Sequence, residues 1–155
     1  MSRLPEAEPD RPAPELLEQM IWASRVRCVD RLTIAGRGHL DLLIGLCHRG
    51  FARVSCRASD QGPRAGEPET DMLWIPGVEN EAQLTKTLAR LGRCLRADGI
   101  VLVHDRRRHS RQRFRRLCGV LAESGFTFDR QEAAADGSVL LCAHKRAGEG
   151  TRCAA

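Results

Sequence analysis

Residues 100–104, IVLVH, constrain the fold more than any other stretch of the chain. An uninterrupted apolar run that is rich in β-branched side chains is typical of a parallel strand with helices on both faces of its sheet. A helix is predicted directly before it, with Asn80 as the N-cap and Gln83 completing a capping box. Its apolar stripe is formed by leucines at helical spacing: Leu84, Leu88, Leu91 and Leu95. We expect the segment RADG to end this helix.

The rest of the chain repeats this alternation of strands and helices. Further helices are predicted from Pro14 to about Val29, over 39–49 and over 110–124. Further strands are predicted at 31–36, 52–58, 71–76, 126–133 and 138–144. The tripeptide ADG at 135–137 joins the last two strands as a hairpin. This order predicts a three-layer α/β/α sandwich with a mostly parallel sheet and an antiparallel closing hairpin.

The length of 155 residues is enough for one domain with a hydrophobic core. We expect a disordered, proline-rich N-terminal tail at 1–12, a domain at 13–147 and a C-terminal tail at 148–155. No apolar stretch approaches 18 residues, and the first residues lack the apolar core of a secretion signal. A cytoplasmic location without membrane contact is therefore expected.

Seven cysteines are present, an odd number, and no pair has CxxC spacing. A disulfide framework, a zinc site or another metal site is therefore not expected. Five of the cysteines lie in apolar patterns and are predicted to be buried: Cys47, Cys56, Cys94, Cys118 and Cys142. Cys153 is predicted to be an exposed thiol in the C-terminal tail.

The second half of the chain resembles the class I S-adenosylmethionine-dependent methyltransferases. TDMLWIPG looks like the family's fourth strand, and QLTKTLARLGRCLRADGIVLVHD looks like its next helix, turn and fifth strand. FRRLCGVLAESGFTFDRQEAAADGSVLLCAHKR looks like the last helix and the closing strands. The resemblance covers roughly residues 30–146 and implies a Rossmann-like fold with S-adenosylmethionine as the cofactor.

The first half departs from the family's pattern at the first strand. In the family this strand ends in an acidic residue followed by a glycine-rich turn, because only glycine leaves room for the cofactor. In LTIAGRGHL, Gly36 and Gly38 match the last two glycines. If the segment is aligned with the family's pattern at Gly38 without a gap, Leu32 stands at the position of the acidic residue. If one deletion is allowed, Thr33 stands there. Neither alignment supplies a carboxylate.

The second strand departs as well. Arg57 stands where the family has an acid that binds the ribose hydroxyls, and Asp60 is the nearest substitute. Losing two hydrogen bonds to a charged group weakens binding by roughly a hundredfold or more. The segment 60–70 is also too short for a helix and a third strand, so we expect a sheet shortened beyond the second strand.

The resemblance implies a set of candidate cofactor-binding residues: Gly36, Gly38, His39, Arg57, Asp60 and Trp74. Because the carboxylates of the family's pattern are missing, we expect S-adenosylmethionine to bind weakly or not at all. Trp74 has a second interpretation as core packing, and His39 as a surface residue. His104 ends the fifth strand on the ligand side and is either a general base or a structural residue. No catalytic residue is assigned.

Residues 106–116, RRRHSRQRFRR, hold seven arginines and no acid. The net charge of +5 is confined to this segment, since the rest of the chain is at −2. The segment is either a solvated helix face or a patch for anions, nucleic acid or an acidic protein, formed by Arg106, Arg107, Arg108, Arg111, Arg113, Arg115 and Arg116. Its one aromatic residue, Phe114, is predicted to face the core, which argues against base stacking.

Three functional hypotheses remain open. The first is a non-catalytic methyltransferase-like module that binds a protein partner or a second copy of itself. The second is an active S-adenosylmethionine-dependent methyltransferase, completed by a partner subunit. The third is a nucleic-acid-associated protein that acts through the arginines of 106–116. A shortened NADP-type site, with Arg57 contacting a phosphate, is a weaker alternative because the glycine fingerprint is incomplete.

Overall fold

Helices and strands alternate along the residues that the computed structural model describes, which are 16–36, 39–59, 61–107 and 110–147. The helices are α1 (Leu16–Ser24), α2 (Leu40–His48), α3 (Glu81–Leu91) and α4 (Arg111–Glu123). The strands are β1 (Leu32–Ala35), β2 (Val54–Arg57), β3 (Thr70–Val78), β4 (Leu95–Asp105), β5 (Phe126–Ala133) and β6 (Val139–Lys145). The predicted order of elements is confirmed.

The strands form one sheet with the order β2-β1-β3-β4-β6-β5. The first four strands are parallel, and β6 runs antiparallel to both β4 and β5. This confirms the mostly parallel sheet and the antiparallel closing hairpin. Residues 61–69 contain no strand, so β2 is an edge strand in the described part of the chain.

Each face of the sheet is covered by two helices, which gives the predicted three layers. One core lies between the sheet and helices α1 and α2, and contains Met20, Leu46, Ile34, Trp74 and Leu102 among others. The other core lies between the sheet and helices α3 and α4, and contains Leu73, Val101, Leu88, Leu117 and Leu141 among others. Successive residues of a strand alternate between the two cores, as the pleat of a sheet requires.

The N-termini of α3 and α4 are capped by side chains. The Asn80 side chain accepts a hydrogen bond from the Gln83 amide at 2.8 Å, and the Gln83 side chain accepts one from the Glu79 amide at 2.9 Å. Ser110 accepts a hydrogen bond from the Arg113 amide at 3.1 Å. These bonds satisfy amides that would otherwise lack partners in the first helical turn, and they confirm the predicted starts of both helices.

Two predicted helix ends are wrong. The first helix ends at Ser24 and not near Val29, because Arg25 adopts a left-handed conformation with φ of 54° that no helix continues. The third helix ends at Leu91, a short 3₁₀ turn follows at Gly92–Cys94, and Leu95 already belongs to β4. The Lys145 ammonium group donates to the carbonyl oxygens of Gly92 and Leu95, which ties this turn to β6.

The prediction of five buried cysteines is correct for Cys94 and Cys142 and wrong for Cys47 and Cys56. Cys118 is half-buried. Cys47 and Cys56 lie on α2 and on edge strand β2, where no further described element packs against them, so both thiols are exposed. Cys153 lies outside the described residues.

Candidate ligand-binding crevice

A crevice of about 510 Å³ opens at the carboxyl ends of β1, β3 and β4. Ligands of open parallel sheets bind at this edge, because the loops after the strands leave a gap there. Gly36 follows β1, His39 precedes α2, and Gly77 lies near the end of β3. His104 from β4 and Arg106 just after it also line the crevice.

The turn after β1 needs glycine at position 36. Gly36 has a φ of 101°, which L-residues rarely adopt, and a Cβ there would lie 3.3 Å from the His39 ring nitrogen Nε2. A larger residue would therefore strain the backbone and push the imidazole out of place. Gly38, the second glycine of the predicted turn, and Asp60 both lie outside the described residues.

His39 places an imidazole at the start of α2 on the wall of the crevice. Burial lowers the pKa of His39, the Asp41 carboxylate opposes that shift, and the Arg106 guanidinium adds to it. The side chain is therefore favoured in its neutral form, which can donate and accept hydrogen bonds.

His104 is almost fully buried, and both of its ring nitrogens have partners. The Gly77 amide donates to Nδ1 at 3.2 Å, and Nε2 lies 2.9 Å from the Ser138 hydroxyl oxygen. An Nδ1 that accepts a bond from an amide carries no proton, so Nε2 is the protonated nitrogen and donates to Ser138. The Ser138 hydroxyl in turn donates to the Asp136 carboxylate.

This chain of hydrogen bonds fixes the position of the His104 ring. The order is imidazole, hydroxyl, carboxylate, with the buried Ser138 between the two other groups, so it differs from a serine–histidine–aspartate triad. Neither ring nitrogen is free to take a proton from a ligand unless an existing bond breaks. His104 therefore joins the floor of the crevice to the β5–β6 turn, and the geometry favours its structural interpretation.

We expect the stability of the fold to fall in mild acid because of this arrangement. Burial lowers the pKa of His104, with Arg106 and His39 acting in the same direction against Asp136 and Asp105. The unfolded side chain has a pKa of about 6.5. The stabilisation is thus complete above that pH and is lost as the pH falls from about 6.5 towards the lower folded-state pKa.

Urea unfolding at pH 7.5 and pH 5.5 measures this loss as a drop in the free energy of unfolding. A His104→Gln variant should show a smaller drop between the two pH values, while a variant of the exposed His48, His48→Gln, should behave as the wild type. An unchanged pH dependence in His104→Gln would contradict the assignment. Some dependence should persist in that variant because burial also lowers the pKa of His39.

Two predicted cofactor ligands do not lie in the crevice. Arg57 pairs with the Glu67 carboxylate and donates to the Gly62 carbonyl oxygen at 3.1 Å, on the wall of a different cavity. Trp74 has no exposed surface, and its indole nitrogen donates to the Met72 sulfur at 3.3 Å within the core below α1 and α2. The structure therefore places Trp74 as core packing, the second of its two interpretations.

The described arginines of 106–116 differ in their surroundings, although Arg107, Arg113 and Arg116 line one common cavity. Arg113 is 17% exposed and its guanidinium group binds both oxygens of the Asp105 carboxylate, as well as the carbonyl oxygens of Val78 and Glu79. Arg116 lies 3.6 Å from the Glu81 carboxylate. Arg106, Arg107, Arg111 and Arg115 are exposed, and Arg106 also lines the crevice. Arg108 lies outside the described residues.

Phe114 is half-buried against the core below α3 and α4, and its ring meets that of Phe128 edge-on at 5.4 Å. This confirms the prediction that the aromatic residue of the arginine segment faces inward. In the described part of the chain, no three histidine, cysteine or acidic side chains are placed to hold a metal ion. Over the same residues, no helix has the length and apolar character needed to span a membrane.

The sequence did not identify Ser138 and Asp136 as residues that support the crevice. The segment ADGS carried a turn signal, and nothing in it indicated a hydrogen bond to a histidine 34 positions earlier in the chain. Such a contact follows from the pairing of β4 with β6, which places His104 opposite Leu140. The tertiary arrangement, and not a local pattern, creates this network.

Comparison with known proteins supports the fold. A SAM-dependent methyltransferase from Aquifex aeolicus superposes with a TM-score of 0.67 at 11% identity, over 88% of this chain and 93% of that one. A chain from the complex of the Haloferax volcanii Trm112 methyltransferase activator with a methyltransferase gives 0.66 at 12% identity, over 83% and 88%. The pyocyanin biosynthetic protein PhzM gives 0.64 at 14% identity, over 83% and 54%, so this chain spans about half of its length.

No family model matches the sequence, and no curated protein matches it. The chain has the Rossmann-like fold of the class I methyltransferases, as its sequence predicted. Identities of 11–14% establish the fold alone, because the same fold carries many activities.

Proposed function

We propose that this chain is a methyltransferase-like binding module whose crevice does not bind S-adenosylmethionine with useful affinity. The observation that carries the proposal is the position of Arg57. The resemblance predicts a ribose-binding carboxylate at the end of β2, whereas this chain has a guanidinium group that is held outside the crevice by Glu67. A pocket without that carboxylate lacks charge-assisted hydrogen bonds that favour the cofactor.

The first strand supports the same conclusion. Leu32 and Thr33, the two residues that take the acidic position in the alternative alignments, are both buried within β1. Neither carries a carboxylate, and neither lines the crevice. The described crevice residues include one acid, Asp41, in the first turn of α2. Arg106 places a cation at the same crevice, which disfavours the positively charged sulfonium group of the cofactor.

A protein partner fits the binding role. Leu40 is 62% exposed and Ile44 is 46% exposed on α2, beside the edge strand β2. Exposed apolar side chains next to an unpaired strand edge favour contact with another chain. One structural neighbour is part of a complex with a methyltransferase activator, which supports a partner subunit for this chain, with a second copy of the chain as the alternative.

A thermal-shift measurement with 1 mM S-adenosylmethionine or S-adenosylhomocysteine tests the proposal. A ligand at a hundred times its Kd stabilises a protein by about 2.7 kcal/mol, which raises the Tm of a domain of this size by roughly 5–10 °C. We expect a shift below 1 °C with either compound, equal to that with adenosine or methionine at the same concentration. A rise of several degrees would instead support the active methyltransferase.

A further inference from the structure

A second cavity, of about 430 Å³, lies at the opposite edge of the sheet from the crevice. It is bounded by the first residues of β1 and β3, by β2 and by the loop at 61–69. In the sheet Thr33 pairs with Leu73, which belongs to the core below α3 and α4. The cavity therefore lies on that face of the sheet, beyond the area that the two helices cover.

A row of hydroxyl groups crosses three strands at the base of this cavity. The Thr33 hydroxyl oxygen lies 2.8 Å from that of Thr70 on β3 and 3.5 Å from that of Ser55 on β2. Thr33 is 3% exposed and Thr70 is 7% exposed, yet both line the cavity. The row has three hydroxyl protons but only two hydrogen bonds between its members. One O–H group therefore has no acceptor within the row and can donate to an oxygen atom of a bound ligand.

Arginines line the same cavity as this row. Arg31, Arg53 and Arg93 line the cavity, and among the described residues no carboxylate forms an ion pair with any of their guanidinium groups. Arg57 also lines it, but its charge is balanced by Glu67. Glu69 is the remaining acid of the lining, so the wall carries an excess of positive charge.

We propose that this cavity binds the phosphate group of a phosphorylated small molecule. Guanidinium groups match the oxygens of a phosphate in charge and geometry, and the spare O–H group of the row adds a bond to one of those oxygens. The volume exceeds that of the phosphate group alone, which leaves space for the rest of a small ligand. The cavity and the crevice open at opposite ends of the strands, so this proposal does not depend on the state of the S-adenosylmethionine site.

Calorimetric titration at low salt with inorganic phosphate and with phenyl phosphate tests the site. We expect binding at one site per chain, tighter for phenyl phosphate, and at least tenfold weaker in the double variant Arg53→Gln/Arg93→Gln. The matched control is Arg111→Gln/Arg115→Gln, which removes the same charge from the exposed face of α4 and should bind as the wild type. Absence of heat in the wild type, or equal weakening in both double variants, would overturn the proposal.

The hydroxyl row is tested separately. Thr33→Val removes the hydroxyl and keeps the shape of the side chain, so phosphate binding should weaken about tenfold, whereas Thr33→Ser should retain it. The Tm without ligand shows whether each variant is folded. If Thr33→Val does not fold, Ser55→Ala replaces it, because Ser55 is exposed and its loss leaves the core intact. Equal affinity in the variants with and without the hydroxyl would contradict a role for the row.

Discussion

Trp74→Ala is expected to lower the free energy of unfolding by about 3–5 kcal/mol, as is usual when a buried tryptophan is truncated. Trp74 has no exposed surface and packs between the sheet and helices α1 and α2. Truncation would leave a cavity that the strands of a hydrogen-bonded sheet cannot close. Urea unfolding, followed by circular dichroism, measures the change.

The matched control for this prediction is Trp22→Ala. Trp22 lies on α1 and is 80% exposed, so its removal should change the free energy of unfolding by no more than about 0.5 kcal/mol. Equal effects of the two substitutions would show that the core below α1 and α2 is not packed as described. The two residues are the chain's only tryptophans, so each variant leaves one fluorophore whose emission reports its own environment.

Arg113→Leu is expected to cost about 3 kcal/mol, because it leaves the Asp105 carboxylate buried without its cation. Asp105 is 5% exposed, and Arg113 supplies three of the hydrogen bonds to its two oxygens. The same guanidinium group ties α4 to the end of β3 through the Val78 and Glu79 carbonyl oxygens. Thermal and urea unfolding would measure the loss.

Two further variants make this prediction specific. Arg115→Ala removes an exposed arginine from the same helix and should change the free energy of unfolding by no more than about 0.5 kcal/mol. Adding Asp105→Asn to Arg113→Leu removes the unpaired charge and should recover part of the loss. If Arg113→Leu were as stable as Arg115→Ala, Arg113 would belong to the solvated face that the sequence suggested.

Local patterns predicted most of the fold. The run at 100–104 forms the second half of β4, and the capping residues Asn80 and Ser110 start the helices that cover one face of the sheet. These features depend on neighbours in the sequence, so they are visible before the fold is known. The predicted end of the third helix is wrong because a distant element determines it. Leu95 belongs to β4, and the Lys145 ammonium group on β6 donates to its carbonyl oxygen.

The candidate site was less predictable for the same reason. The sequence showed seven arginines together but not that Arg113 is paired with a buried carboxylate. It placed Arg57 at the end of β2 but could not show that the loop at 61–69 supplies Glu67 as its partner. In the hydroxyl row, Thr33 contacts Ser55, 22 positions away in the sequence, and Thr70, 37 positions away. No sequence motif links these three residues, so the row could not be predicted.

We propose that the fold keeps the shape of a methyltransferase crevice without the groups that would hold the cofactor in it. The turn at Gly36 and the buried His104 network keep an open, polar crevice at the carboxyl ends of the strands. The carboxylate expected at the end of β2 is replaced by a guanidinium group that lies elsewhere. On this proposal the fold is a scaffold for binding, and its described crevice residues lack the charge pattern that the resemblance implies.

Calorimetric titration of the whole chain with S-adenosylhomocysteine tests this central claim most directly. S-adenosylhomocysteine lacks the sulfonium charge of S-adenosylmethionine. Its affinity for the crevice is therefore not lowered by repulsion from Arg106. We predict no binding heat up to 1 mM ligand in phosphate-free buffer at pH 7.5. Stoichiometric binding with a Kd near 10 μM would contradict the account and show that the crevice is a working cofactor site.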